Sequence, residues 1–194
     1  MQSRTGALLF ANGAIYAVRR SLYRPVEGDW DHDTMVPLRC VLAGSRVVYE
    51  PHALAYEKAG TTARGELRRK VRIIMRDAWT LVDLARVHVG LTPWLLFNVL
   101  CHKVIRWLVW LPLVGLLALS VINFDHAFFR VTLAAQLAFY VAALAGKLIE
   151  RRRGAPIWLR VPLYFCLVNT AGLLASVRML RGERQTFWNP RSGA

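Results

Sequence analysis

The sequence predicts a small α/β domain followed by membrane-embedded α-helices, and three observations lead to this fold class. Charge is concentrated before residue 91, where nine of the twelve carboxylates lie. Short apolar segments alternate there with a helical pattern, which is typical of α/β structure. The later sequence contains apolar runs of about 20 residues, the length that crosses the hydrocarbon core of a bilayer.

The first region contains one predicted helix between predicted strands. Residues 34–43 have helical spacing, with Asp33 as the N-cap and Gly44 as the stop. An Asn12-Gly13 pair predicts a tight turn between the first two strands. Strand, helix and strand in this order predict part of an α/β sheet. The predicted strands are residues 6–11, 14–18, 46–50 and 53–56.

Residues 65–88 form the clearest amphipathic helix in the sequence. Its apolar side faces away from a strongly basic side that includes Arg68, Arg69, Lys70 and Arg72. A basic amphipathic helix that carries a tryptophan, here Trp79, is typical of the membrane interface. Packing of the same helix against the soluble domain is the alternative.

Three segments of lipid length follow, and each has aromatic residues near its ends, where rings favour the headgroup layer. Just before them, Lys103 lies in a basic group for which snorkelling to the headgroups is the expected role. We therefore divide the chain into an α/β part, amphipathic interfacial helices, transmembrane helices and a basic tail. These are residues 1–63, 64–104, 105–180 (helices at 105–124, 127–146 and 157–177) and 181–194.

The net charge of +14 is unequally distributed along the chain. Residues 1–90 hold 14 basic and 9 acidic side chains, whereas residues 91–194 hold 12 basic and 3 acidic ones. Basic residues beside apolar helices predict contact with anionic lipids and disfavour nucleic acid as the partner. We expect a multi-pass protein of the inner or plasma membrane, with the basic loop 147–160 and residues 1–104 in the cytosol. The side of the membrane on which the tail lies stays open, because the tail is also basic.

Two clusters could carry chemistry. Asp29, Asp31 and Asp33 lie within five residues, so mutual repulsion raises at least one pKa and makes a general base or a metal site conceivable. A solvated turn with Asp33 as a helix cap is the alternative. The run from Arg68 to Arg72 could clamp a diphosphate, because arginine pairs with phosphate oxygens bidentately. Attraction to anionic lipid explains that run equally well.

The order of these motifs resembles the second half of a processive family 2 glycosyltransferase, a group of GT-A-fold membrane enzymes that includes cellulose, chitin and hyaluronan synthases. The resemblance rests on Ala-Asn-Gly-Ala-Ile-Tyr from residue 11, Asp-Thr-Met-Val-Pro-Leu-Arg from residue 33, Gly-Ser-Arg-Val-Val-Tyr-Glu-Pro from residue 44 and Arg-Lys-Val-Arg from residue 69. It covers residues 1 to 110 by motif and the remainder by helix pattern. The fold it implies for residues 1–63 is the acceptor-side part of a GT-A domain.

The resemblance implies a catalytic role for Asp33. It matches the general base that deprotonates the acceptor hydroxyl, while His32 replaces the acidic neighbour usual in the family. Asn12 and Gly13 match the loop on the acceptor side.

The resemblance also implies a diphosphate site. Arg72 matches the arginine that contacts the nucleotide diphosphate, and Arg69 and Lys70 lie beside it. Arg69 stands where the family has glutamine and Ile73 where it has tryptophan, which removes an expected stacking surface for the acceptor.

No donor-binding motif accompanies these residues in the sequence. The family holds Mg²⁺ or Mn²⁺ with an Asp-x-Asp in its first half, whereas residues 1–10 of this sequence already match the region just before the acceptor loop. We therefore expect this chain to hold no metal. We expect a partial or split enzyme that, when complete, transfers a sugar from a nucleotide-sugar to a glycan or lipid acceptor with inversion. The isolated chain is then expected to be inactive. The alternatives are a non-catalytic adaptor that binds anionic lipid and a partner protein, and, less favoured, a transporter subunit.

Overall fold

The computed structural model describes residues 8–26, 30–56, 62–86, 92–153 and 156–184, and helices dominate them. In chain order the elements are α1 (His32–Leu42), α2 (Ala63–Arg86), α3 (Pro93–Val99), a π turn (Leu100–Val104), α4 (Ile105–Trp107), α5 (Trp110–Ile122), α6 (Ala127–Arg153) and α7 (Ile157–Leu180).

The predicted α/β fold is wrong, because the described part of the chain contains no β-strand. The GT-A-type sheet expected within residues 1–63 is therefore absent from residues 8–26 and 30–56, while residues 6 and 7 of the first predicted strand lie outside the described ranges. In the segments expected to be later strands, Val48, Tyr49, Leu54 and Tyr56 are all exposed. A strand needs a surface that covers its apolar side chains, and the exposure of these four side chains shows that no such surface covers them.

Helix α1 forms close to the predicted position but begins earlier. Asp31 is the N-cap, and its carbonyl accepts hydrogen bonds from the backbone N–H groups of Thr34 and Met35. Asp33, the predicted N-cap, therefore lies in the first turn of the helix. The helix ends before Gly44, which adopts a left-handed conformation with φ of 77° that glycine tolerates without strain.

The chain divides into two compact units. The first unit contains the described residues of ranges 1–59, 72–104 and 179–194. Its core brings together the N-terminal segment, α1, α2 and α3 through the buried side chains of Leu9, Met35, Leu38, Leu84, Leu95 and Val99. Helix α2 buries Ile74, Met75 and Ala78 in the protein, which are part of the apolar side recognised in the sequence. Placement of residues 64–104 at the membrane interface stays a prediction.

The second unit contains the described residues of ranges 60–71 and 105–178, with α5, α6 and α7. Gly146 of α6 lies against α7 so closely that a Cβ atom there would be 2.7 Å from the carbonyl oxygen of Leu159. Phe139 and Phe165 meet edge to face with ring centroids 5.4 Å apart, so α6 and α7 run side by side. Small residues that allow close backbone approach are typical of membrane helix packing.

Among the residues that the structure describes, two helices are long and apolar enough to cross a membrane, namely Ala127–Ile149 within α6 and the whole of α7. A third crossing needs Pro93–Trp107 and Trp110–Ile122 to act together as one bent span. The predicted membrane character is thus confirmed for two or three helices. The segment expected as one helix over 105–124 is interrupted at residues 108–109, because Pro112 has no N–H to donate to Leu108.

Candidate functional site

The candidate base and the candidate acceptor loop lie together in the first unit. A Cβ atom added at Gly13 would collide with Oδ2 of Asp33 and lie 3.0 Å from its Cγ. The backbone N–H of Ala11 also donates to the carbonyl oxygen of Asp33 at 2.9 Å. Only a residue without a side chain leaves room for the Asp33 carboxyl at this point, so Gly13 sets the space in front of it.

Asn12 shapes the turn that carries Gly13. Its side-chain Oδ1 accepts from the backbone N–H of Ala14 at 3.2 Å, and its carbonyl oxygen accepts from Ile15 at 3.2 Å. Side-chain bonds of this kind to the residue two positions on are a common way for asparagine to hold a turn. The predicted turn is present, although it joins no strands.

Asp33 has an environment that favours its neutral form. Partial burial is the main cause that raises the pKa of this carboxyl, and the carboxylates of Asp31 and Asp77 raise it further. Arg76 and His32 oppose these effects. The pKa of nearby Tyr16 is also raised, first by desolvation and then by the negative charge of Asp33. Asp33 is thus a carboxyl group with increased proton affinity beside an accessible turn.

A buried polar network supports the first turn of α1, immediately next to Asp33. Thr34 donates to Oδ1 of Asp77 at 2.8 Å, and Lys103 Nζ lies 2.8 Å from the same oxygen. Lys103 also contacts Oγ1 of Thr34 at 2.6 Å and lies 4.0 Å from the ring centroid of Phe10. Burial is the main cause that raises the pKa of Asp77, whereas Lys103 lowers it. The ammonium group compensates a carboxylate that would otherwise be costly to bury.

Sequence reasoning missed this network. Lys103 was expected to snorkel toward lipid headgroups, and the structure directs its ammonium group to Asp77 instead. One signal was available in the sequence, because Asp77 occupies the apolar stripe of α2 between Ile74 and Leu81 at helical spacing. A charge in such a stripe indicates a buried partner.

The remaining predicted site residues divide between the two units. Arg69 and Lys70 belong to the second unit, where both lie near Glu66, at 3.9 Å and 3.8 Å respectively. Lys70 Nζ is also 5.8 Å from the ring centroid of Tyr164. Arg72 belongs to the first unit and is partly exposed. Their diphosphate-binding role stays a prediction.

The acidic cluster is only partly described, because Asp29 lies outside the described ranges. Asp31 is fixed by its neighbours: its backbone N–H donates to Oγ1 of Thr80 at 2.8 Å, and its carboxylate lies 3.9 Å from Arg76. Within the ranges that the structure covers, no three His, Cys, Asp or Glu side chains are arranged to hold a metal ion. Comparison of the chain with family models, with curated proteins and with solved structures finds no match.

Proposed function

We propose that this chain supplies the acceptor side and the membrane anchor of a sugar transferase, with Asp33 as the general base. The observation that carries the proposal is the juxtaposition of Asp33 with Gly13, because it joins the two residues to which the resemblance gives the base and the acceptor loop. A half-buried carboxyl with a raised pKa is better matched to taking a proton near neutral pH than an ordinary aspartate is.

The proposed chemistry is an inverting displacement. The acceptor hydroxyl gives its proton to the Asp33 carboxylate while its oxygen attacks the anomeric carbon of the nucleotide-sugar. The nucleoside diphosphate departs from the opposite face of the sugar, and Arg72 stabilises the charge that develops on it. The donor and its Mg²⁺ or Mn²⁺ are held by polypeptide other than residues 1–194. The acceptor is a glycan or a lipid, since the chain has membrane-length helices.

The test is sugar transfer in membranes of the producing cell, with labelled nucleotide-sugars offered as donors. Asp33→Asn is expected to abolish incorporation, because the amide cannot accept the proton, and to leave the amount of membrane protein unchanged. Glu50→Gln is the matched control, since Glu50 is exposed and its closest acid–base partner is His52. Incorporation that survives Asp33→Asn would reject the base assignment.

The lipid-binding adaptor makes the opposite prediction. If the chain is an adaptor, Asp33→Asn leaves sugar transfer unchanged. Neutralisation of Arg68, Arg69 and Arg72 then weakens lipid association and also leaves sugar transfer unchanged. The two variants together therefore separate the two functions.

A further inference from the structure

The segment that follows α7 is attached to α2 within the first unit. Arg184 donates two parallel hydrogen bonds to Asp83, from Nη1 to Oδ2 at 3.0 Å and from Nη2 to Oδ1 at 2.9 Å. A bidentate guanidinium–carboxylate pair fixes the relative orientation of its partners as well as their distance. We call Trp79, Asp83, Glu183 and Arg184 the tail clasp.

Trp79 provides the second half of the tail clasp. Its indole Nε1 donates to the backbone carbonyl oxygen of Glu183 at 2.8 Å, and the Arg184 guanidinium lies 4.5 Å from its ring centroid. Trp79 and Asp83 are four residues apart, so they lie on the same face of α2. One helical face therefore binds two consecutive residues by a backbone contact, an ion pair and a cation–π contact.

The tail clasp constrains how the chain passes through the membrane. Atoms 3 Å apart lie on one side of a bilayer whose hydrocarbon core is about 30 Å thick. We propose that the segment after α7 returns to the side of the membrane that holds α1, α2 and α3, so residues 105–178 cross the bilayer an even number of times. This proposal is independent of the sugar-transfer proposal.

Crossings by α6 and α7 alone give an even count. Within α6, 23 residues meet the length and hydropathy needed to cross, and α7 meets them over its 24 residues. Helix α5 has 13 residues, about 20 Å at the α-helical rise, and does not span the hydrocarbon by itself. Under the proposal, Pro93–Trp107 and Trp110–Ile122 do not act together as one bent crossing. The side-by-side packing at Gly146 and Leu159 is the arrangement expected of two consecutive crossings.

Cysteine accessibility tests the proposal directly. The three native cysteines are first removed by Cys40→Ala, Cys101→Ser and Cys166→Ala. Val48→Cys then reports on the side of the first unit, because Val48 is 68% exposed, and Ser192→Cys reports on the side of the tail. Each variant is treated with a membrane-impermeant maleimide in intact cells and again in lysed cells.

Equal behaviour of the two positions supports the proposal: both react in intact cells, or both react only after lysis. Opposite behaviour overturns it, since an odd number of crossings would then separate the tail from α2. The same question can be tested without any cysteine substitution. A reporter that is active on only one side of the membrane is fused to the unmodified sequence, before Met1 in one fusion and after Ala194 in the other. Agreement of the two fusions is expected, and disagreement rejects the proposal.

Discussion

Lys103 and Asp77 form an ion pair at 2.8 Å in which the two side chains are only 14% and 12% exposed. Removal of one partner from such a pair leaves a buried charge without compensation, which costs about 3–5 kcal/mol. Lys103→Met is therefore expected to lower the free energy of unfolding of the purified protein in detergent by an amount of this order. Lys147→Met, at an exposed position, is the matched control and is expected to have little effect.

The double variant Asp77→Leu, Lys103→Met sharpens this test, because it removes both charges at once. Well-packed apolar replacements of buried ion pairs are often close to neutral. A double variant that is no more stable than Lys103→Met alone would contradict the view that charge compensation is the main role of Lys103.

Gly13→Ala should disturb Asp33 specifically. The added methyl group would occupy the space of the Asp33 carboxyl, which is the end of a flexible side chain and can rotate aside at little cost in stability. Under the proposed function, sugar transfer would fall, because the base would be displaced. Gly115→Ala is the control, since a Cβ there meets no atom within 4 Å. Equal sugar transfer by the two variants would contradict displacement of the Asp33 carboxyl by the added methyl group.

The tail clasp should weaken in acid. Its hydrogen bonds from Arg184 are the main cause that lowers the pKa of Asp83 below its usual range. A carboxyl whose pKa is lowered by folding stabilises the protein at pH values above its unfolded pKa of about 3.9. This stabilisation is lost as the pH falls through the pKa of the folded state. The difference in unfolding free energy between wild type and Asp83→Asn is thus expected to be constant near neutral pH and to shrink below about pH 4.

The size of this difference should be modest, because the Arg184 side chain is 43% exposed and solvent screens the pair. About 0–1 kcal/mol is expected at neutral pH. Asp125→Asn, in the exposed turn before α6, is the control. A difference that grows as the pH falls would have the wrong sign for this pair.

Gly146→Ala should separate α6 from α7. A Cβ atom at this position would lie 2.7 Å from a backbone oxygen, which cannot rotate away as a flexible side chain can. We expect a lower thermal unfolding temperature in detergent, measured against the same Gly115→Ala control. A higher unfolding temperature, as expected from helix propensity alone, would reject this packing.

Local signals predicted the helices better than they predicted the rest of the fold. Apolar spacing and the Gly44 stop located α1, and the long apolar runs located α6 and α7, because these properties depend on neighbouring residues. The strands expected near Val48 and Leu54 do not form, since alternation of apolar and polar residues alone supplies no partner strand. The order of the motifs indicated Asn12, Gly13 and Asp33 as site residues. The structure places Gly13 and Asp33 in contact range. The apolar stripe around Asp77 indicates a buried partner, but no local pattern identifies that partner as Lys103, which lies on a distant segment.

The network around Lys103 also has a consequence for biosynthesis. Its ammonium group contacts Thr34, which precedes it by 69 positions, and the core of the first unit is closed by Leu95 and Val99. These residues are synthesised immediately before the apolar helices. Folding that depends on such distant contacts is slow and leaves apolar surface exposed until the last partner arrives. The first unit therefore completes its folding only when the ribosome is already delivering the membrane segments, so maturation of this domain coincides with insertion into the bilayer.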